Sequence, residues 1–193
     1  SYLKGIEDYL PVSQYEREEH QCAVVDDILE NWATLSHGSK FHAIFATSSI
    51  PEAIQYYKLF RTRGSLKVTA LFDPSIDNNG NGLSKEAGIV EIIEDYNTRY
   101  GMKFQMATYA TFKKDISYRL AHKEQYKGIE HTSDQQIDLL IVVDQMLTGF
   151  DSKWINTLYL DKILVYEKLI QAFSRTNRLY GPEKPFGTIR YYR

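Results

Sequence analysis

An uninterrupted apolar run between two aspartates is the feature that most constrains the fold of this chain. Residues 138–144 have the sequence DLLIVVD, with aliphatic side chains at every position between Asp138 and Asp144. A strand with one wet face alternates apolar and polar residues, whereas a strand covered on both faces is apolar throughout. The run therefore predicts an interior strand of a parallel sheet that is flanked by helices.

A strand–helix–strand pattern upstream of this run supports the same class. Residues 42–47 (HAIFAT) form a short apolar strand, a helix follows to about residue 61, and residues 66–72 form a second strand. This unit is typical of parallel sheets. Further helices are predicted at 14–37, 84–100 and 108–124, and further strands at 157–160 and 187–192. We expect an α/β domain over residues 41–193, a helical insertion at about 80–130, and a helical lead-in over residues 1–40 that packs on the domain.

Composition excludes several classes of protein. The 193 residues include one cysteine, Cys22, so an internal disulfide and a cysteine-type zinc site are excluded, and a reducing compartment is indicated. No apolar run approaches membrane-spanning length and no signal peptide opens the chain, so we expect a cytoplasmic protein.

The net charge of −2 gives no global basic field, so any contact with nucleic acid must use local patches. Two groups of basic residues qualify, although charge alone favours a solvated helix face for each. They are Lys58, Arg61, Arg63 and Lys67, and Lys113, Lys114, Arg119, His122, Lys123 and Lys127.

Two arginines form a stripe in the segment from Leu169 to Arg178. Read as a helix, this segment places Gln171, Ser174, Arg175 and Arg178 at positions i, i+3, i+4 and i+7 of one face. The planar guanidinium matches phosphate oxygens and stays charged at any working pH. The stripe is a candidate phosphate clamp, and an exposed helix with ordinary arginines is the alternative.

Polar residues follow two of the predicted strands, where ligands bind in open parallel sheets. After the apolar run, Gly149 allows close approach of the backbone to a ligand, Thr148 offers a hydroxyl and Asp151 offers a carboxylate. After the HAIFAT strand, Thr47, Ser48 and Ser49 favour an anion at the start of the helix. An ordinary turn and ordinary helix capping are the respective alternatives.

The sequence lacks the parts that hold a nucleotide. No Gly-x-x-x-x-Gly-Lys-Ser/Thr loop occurs, so the carboxylate of Asp144 cannot act as the magnesium ligand of a complete nucleotide site in this chain. The histidines show no metal-ligand spacing, and no metal ligands are assigned. We expect this chain alone to show no ATPase activity.

In order along the chain, these segments resemble the motifs of superfamily-two helicases. Gln171-x-x-Ser174-Arg175-x-x-Arg178 resembles motif VI, 148–151 (TGFD) resembles motif V, and 45–48 (FATS) resembles motif IV. All belong to the second RecA-like domain. The longer stretches 41–60, 69–77, 138–162 and 169–193 resemble the restriction (motor, R) subunit of type I restriction–modification enzymes.

The resemblance implies a role for each matching residue. Arg178 would be the arginine finger that reaches the γ-phosphate of ATP, and Arg175 a second phosphate ligand. Gln171, Gly149 and Asp151 would line the ATP cleft. The remaining motif residues, Thr47, Ser48 and Thr148, would hold the DNA backbone, which suits a translocase that ignores sequence.

The resemblance also implies what lies outside this chain. ATP and Mg²⁺ would be bound mainly by the first RecA-like domain. That domain and a nuclease domain would belong to the same subunit of a bacterial or archaeal enzyme, with methyltransferase and specificity subunits as further partners. The full ATP-dependent deoxyribonuclease would translocate double-stranded DNA and cleave it far from its recognition sequence.

The residues alone leave two other functions open. The chain can belong to a nuclease-free repair or remodelling translocase, or it can be a non-catalytic DNA-binding domain with a helicase fold. The long stretches of similar amino-acid sequence favour the restriction subunit over the first alternative. Intact motif residues at Gly149, Asp151, Gln171, Arg175 and Arg178 oppose the second.

Overall fold

The computed structural model describes residues 13, 17–73, 75, 82–143, 152–164, 171, 180–182, 184 and 187–193. Within these ranges the helices are α1 (Glu18–Leu35), α2 (Ile50–Arg63), α3 (Gly82–Tyr100) and α4 (Tyr109–Ala121). The strands are β1 (His42–Thr47), β2 (Val68–Leu71), β3 (Leu139–Val143), β4 (Ile155–Asp161) and β5 (Thr188–Tyr191). Four short 3-10 turns occupy Met106–Thr108, Glu124–Tyr126, Ile129–His131 and Ser133–Gln135.

The strands of the described part of the chain form one five-stranded parallel sheet in the order β2-β3-β1-β4-β5. Every residue of β3 is buried, and this strand pairs with β2 on one side and β1 on the other. The apolar run is therefore an interior strand, as its composition predicted. The predicted fold class, an α/β domain with a parallel sheet flanked by helices, is confirmed.

Helices cover both faces of this sheet. Phe45 of β1 lies with its ring centroid 4.7 Å from that of Tyr56 and 6.4 Å from that of Phe60, both on α2. His42 lies three residues earlier on the same strand and so points to the opposite face. There its ring meets His122, which directly follows α4. Apolar residues are consequently required on both sides of the central strands.

The predicted insertion is a packed part of the domain, and a buried arginine holds it together. Arg119 of α4 is 1% exposed and its guanidinium lies 4.0 Å from the ring centroid of Tyr100 on α3. It donates hydrogen bonds to the Tyr96 hydroxyl at 2.9 Å and to the Gln135 carbonyl at 2.7 Å. Helix α4 ends at Ala121, earlier than the predicted residue 124, because the next residue adopts the left-handed conformation.

Helix α1 packs beside α2 and reaches the far strands of the sheet. Gln21 donates to Gln55 of α2 at 2.9 Å, and the Leu35 carbonyl accepts from Asn156 of β4 at 2.6 Å. Asp27 accepts two hydrogen bonds from Arg190 of β5, at 2.7 and 2.5 Å. These contacts join the helical lead-in to the strands that complete the sheet.

Candidate functional site

The carboxyl ends of three adjacent strands align at one edge of the sheet, which we call the carboxyl edge. Thr47, the last residue of β1, lies in register with Val143 of β3 on one side and Asp161 of β4 on the other. Each strand precedes, in the chain, one of the segments that the sequence singled out. Ser48 follows β1, residues 144–151 follow β3, and the segment that contains Gln171 follows β4.

The turn after β1 is built by local capping. The Ser49 hydroxyl accepts a hydrogen bond from the Glu52 amide at 3.3 Å, which caps α2, and the Glu52 carboxylate accepts from the Ser48 amide at 3.0 Å. Thr47 is buried and its hydroxyl donates to the Val142 carbonyl at 3.2 Å. Ser48 is exposed. The Thr47 hydroxyl thus binds the neighbouring strand, and the Ser48 hydroxyl is the accessible one of the pair.

Beneath this turn lies a buried group of charged and polar side chains, which we call the Asp161 cluster. Its members come from α1, α2, β4 and the residues after β5: His20, Glu52, Tyr56, Asp161 and Arg193. The Asp161 side chain is 0% exposed. Its carboxylate accepts a hydrogen bond from the Tyr56 hydroxyl at 2.5 Å and lies 3.0 Å from His20 Nε2. The cluster therefore ties the first helix to the end of β4.

Arg193 connects this cluster to the turn. Its Nε donates to the Asp161 carbonyl at 2.9 Å, and its Nη2 donates to the Ser48 hydroxyl at 2.9 Å and to the Glu52 carboxylate at 2.5 Å. The Arg193 side chain is 6% exposed. A single guanidinium thus lies between two carboxyl groups and reaches an exposed hydroxyl.

The environment of the cluster changes the protonation of two of its members. Burial raises the pKa of Glu52 to about 7, while Arg193 acts in the opposite direction. Burial and the adjacent Asp161 raise the pKa of Tyr56 far above its ordinary value, so this phenol stays protonated and donates. The cluster is arranged to hold groups in place by hydrogen bonds and charge.

The structure brings only part of the predicted site into view. Gln171 is exposed and helical. The other residues assigned to the ATP cleft, together with Thr148, lie outside the described residues, and their roles remain predictions. They are Thr148, Gly149, Asp151, Arg175 and Arg178.

The two basic groups noted in the sequence differ, because the first is paired with carboxylates and the second is partly buried. In the first, Arg61 pairs with Glu91 at 2.8 Å and Arg63 with Asp26 at 2.8 Å. The other two members of that group are paired as well, Lys58 with Glu91 and Lys67 with Asp138. In the second group Arg119 and His122 are buried. Exposed lysines remain at 113, 114, 123 and 127.

Sequence reasoning missed the Asp161 cluster. Asp161 directly follows the apolar residues of β4, and the rule that ligands bind beyond strand ends could have singled it out. Arg193 and Glu52 carry no such signal, because they meet Asp161 only in three dimensions. Among the described residues no group of His, Cys, Asp or Glu is placed to hold a metal ion. No helix in the described ranges is long and apolar enough to cross a membrane.

Residues 39–193 match the family model of type I restriction enzyme subunit R domain 3 (T1R_D3-like). The chain belongs to this family. The family that the resemblance implied is thereby confirmed, and this R-subunit domain includes the carboxyl edge, Asp161 and Arg193.

Curated relatives agree with this assignment. The chain is 37% identical over 180 residues to the type I restriction enzyme SauMRSORF196P endonuclease subunit of Staphylococcus aureus strain MRSA252, covering 88% of this chain. It is 40% identical over 176 residues to the SsaAORF53P endonuclease subunit of Staphylococcus saprophyticus, covering 86% of this chain. This R-subunit domain spans 18% of the length of each of these relatives.

Among solved structures, the C-terminal part of the Fun30 ATPase domain is similar to this R-subunit domain with a TM-score of 0.49. The two chains are 10% identical, and the match covers 96% of this chain and 45% of the other. At this level of similarity, the family assignment rests on the sequence matches alone.

Proposed function

We propose that this R-subunit domain is the C-terminal RecA-like half of an ATP-dependent motor that translocates double-stranded DNA within a type I restriction enzyme. The observation that carries the proposal is the order β3-β1-β4 at the carboxyl edge. Because these strands are adjacent and parallel, the segments that follow them start side by side. The segments that carry the proposed ATP-binding and DNA-binding motifs thus follow strands that end at the same edge of the sheet.

In this proposal the domain supplies half of a nucleotide site. Arg178 is the arginine finger and Arg175 a second phosphate ligand, with Gln171, Gly149 and Asp151 lining the cleft. Mg²⁺ and most of the ATP contacts come from a first RecA-like domain in this proposal. The domain boundaries remain 1–40 for the lead-in and 41–193 for the RecA-like domain with its insertion at about 80–130.

Ser48 and Thr148 hold the DNA backbone in the same proposal, whereas the predicted direct role of Thr47 is replaced by a supporting one, because its side chain is buried. The exposed Ser48 hydroxyl offers a donor to a phosphate oxygen just before the start of α2. The Thr47 side chain supports this turn through β3. A nuclease domain of the same subunit cleaves the DNA, and methyltransferase and specificity subunits complete the enzyme. Family membership favours this function over a nuclease-free translocase or a non-catalytic domain.

The experiment that tests the proposal compares arginine variants in the full-length subunit, assembled with its partner subunits. Arg178→Ala is expected to lower DNA-stimulated ATP hydrolysis by about 10³-fold or more, because a finger contributes mainly to the charged transition state. DNA binding, measured by gel retardation, should stay close to wild type. Arg99→Ala is the matched control, since Arg99 is an exposed arginine on α3.

Two results would contradict the proposal. One is unchanged hydrolysis in the Arg178→Ala subunit, and the other is robust ATPase activity of the 193-residue chain by itself. Either result would show that the nucleotide site is complete without the arginine stripe or without a second domain.

A further inference from the structure

The Ser48 turn carries a guanidinium that no motif assigns. Arg193 is almost fully buried, yet its Nη2 reaches the exposed Ser48 hydroxyl at 2.9 Å and the Glu52 carboxylate at 2.5 Å. Its Nε donates to the Asp161 carbonyl at 2.9 Å. The planar fork of arginine can satisfy several acceptors at fixed directions, which a lysine ammonium cannot reproduce.

This arrangement fixes the polarity of the Ser48 hydroxyl. Because Arg193 donates to Ser48 Oγ, the hydroxyl hydrogen is left to point elsewhere. Its partner within the chain is the Asp161 carbonyl at 3.3 Å, a long hydrogen bond. An approaching phosphate oxygen can therefore accept this hydrogen at little cost, while the Ser48 amide stays bonded to Glu52.

Charge leads to the same conclusion. The carboxyl groups of Glu52 and Asp161 lie directly beneath the turn, and without a cation they would repel a phosphate at Ser48. Arg193 lies 3.3 Å from the Asp161 carboxylate and is the arginine that touches both groups. His20 also faces Asp161, from α1. Arg193 thus offsets negative charge at the place where the DNA backbone is proposed to bind.

We infer that Arg193 is a positioning residue that orients the Ser48 hydroxyl and makes the turn after β1 receptive to a DNA phosphate. The inference rests on the proposed function, since it concerns the same DNA-contacting turn. Arg193 itself acts through Ser48 and the buried carboxyl groups.

Arg190 provides a control three residues earlier in the chain. Like Arg193 it is paired with a carboxylate: its Nε and Nη2 donate to the two carboxylate oxygens of Asp27 on α1, at 2.7 and 2.5 Å. It lies on β5 and has no hydrogen bond to the Ser48 turn among the described contacts. Loss of either arginine removes an ion pair, but only loss of Arg193 changes the turn.

The test measures ATP hydrolysis by the full-length assembled enzyme as a function of the concentration of nonspecific duplex DNA. Arg193→Gln should raise the half-saturating DNA concentration about tenfold, because one charge-assisted contact is lost. The fold decrease in kcat should be smaller than this fold increase. Arg193→Lys should give a smaller rise, because it keeps the charge without the fork. Arg190→Gln should match wild type.

A double variant separates positioning from general stability. If Arg193 acts through Ser48, Ser48→Ala combined with Arg193→Gln should raise the half-saturating DNA concentration no more than the stronger single variant. The inference would be overturned if Arg193→Gln and Arg190→Gln raised the half-saturating DNA concentration equally. It would also be overturned if the effects of Ser48→Ala and Arg193→Gln on that concentration multiplied in the double variant. Should Arg193→Gln fail to fold, Arg193→Lys and Ser48→Ala give the same comparison.

The inference can fail while the proposed function stands. Wild-type enzyme with DNA-stimulated ATPase activity that depends on Arg178, together with an Arg193→Gln variant of normal DNA dependence, would refute only the inference. If DNA did not stimulate ATP hydrolysis by the wild-type enzyme, the proposed function would be refuted instead.

Discussion

The two edges of the sheet bury polar groups in different ways. At the carboxyl edge, the Asp161 cluster supports Ser48, whose side chain is exposed. At the amino edge, His42 at the start of β1 contacts His122 with 2.7 Å between their Nε2 atoms. His122 stacks on Trp154 with ring centroids 3.9 Å apart, and all three side chains are buried.

The difference lies in where each network ends. The amino-edge residues His42, His122 and Trp154 bond and stack with one another, and His122 also lies 3.0 Å from the carboxylate of the half-buried Glu130. This network lies at the opposite edge from the ligand-binding ends of the strands, so its main effect is on the stability of the fold. The carboxyl-edge network ends at an exposed hydroxyl beside three strand ends, where parallel sheets bind their ligands. Buried polarity thus supports the fold at one edge and a proposed binding surface at the other.

Removing the large ring at the amino edge should have the largest effect on stability. Trp154→Ala should lower the free energy of unfolding by about 4 kcal/mol, because a buried indole is replaced by a cavity. Urea unfolding of the chain followed by circular dichroism measures this change. Trp154→Phe is the control and should recover most of the loss, and a loss below about 1 kcal/mol for the alanine variant would contradict the comparison.

Acidification should weaken the amino edge. Burial, with the neighbouring His122, lowers the pKa of His42 from 6.5 to about 3. Near pH 6 the His42 imidazole therefore binds a proton in the unfolded chain but not in the folded chain. The free energy of unfolding consequently falls as pH falls. From about pH 7.5 to about pH 5 this loss is on the order of 2 kcal/mol, and His42→Gln should remove it.

Glu52 at the carboxyl edge should show the opposite sign. Its pKa is about 7 when folded and 4.5 when unfolded, so the folded chain binds the proton first. Its contribution to stability is present at low pH and is lost as pH rises through about 7. Glu52→Gln should therefore make the chain lose more stability on acidification than wild type. The same sign of change in the His42 and Glu52 variants would refute the contrast between the edges.

The smallest expected effect on stability comes from the exposed end of the carboxyl-edge network. Ser48→Ala should change the free energy of unfolding by less than about 0.5 kcal/mol, because the residue is exposed and Arg193 keeps its bonds to Glu52 and Asp161. In the full-length enzyme it should still raise the half-saturating DNA concentration. A stability loss comparable to that of Trp154→Ala would mean that this edge, too, serves the fold.

Local pattern was sufficient to predict most of the elements. The strands at 42–47 and 139–143 are buried throughout because both faces are covered, and their apolar residues at 43–46 and 139–143 reveal such strands from composition alone. Strand β4 is longer than the predicted 157–160, since pairing with β1 extends it to Ile155–Asp161, while β5 pairs only with residues 157–160. Neighbours in the sheet, which no local window contains, set that length.

The Asp161 cluster shows why the site was only partly predictable. Tyr56 and Asp161 are separated by 105 positions, and Glu52 and Arg193 by 141. Their meeting depends on the strand order, which residue periodicity does not encode. The sequence motifs, in contrast, singled out Ser48 and Gln171, because the residues of each motif lie close together within one turn or one helix.

The position of β3 has a consequence for how this domain is assembled. Strands β1 and β2 come first in the chain, yet their ladders do not join each other: β1 pairs with β3 and β4, and β2 pairs with β3. Among the described strands, a nascent chain that stops before Leu139 contains no partner for either. This sheet can therefore form only after residues 139–143 have been synthesised, because β3 is the strand that joins β1 to β2.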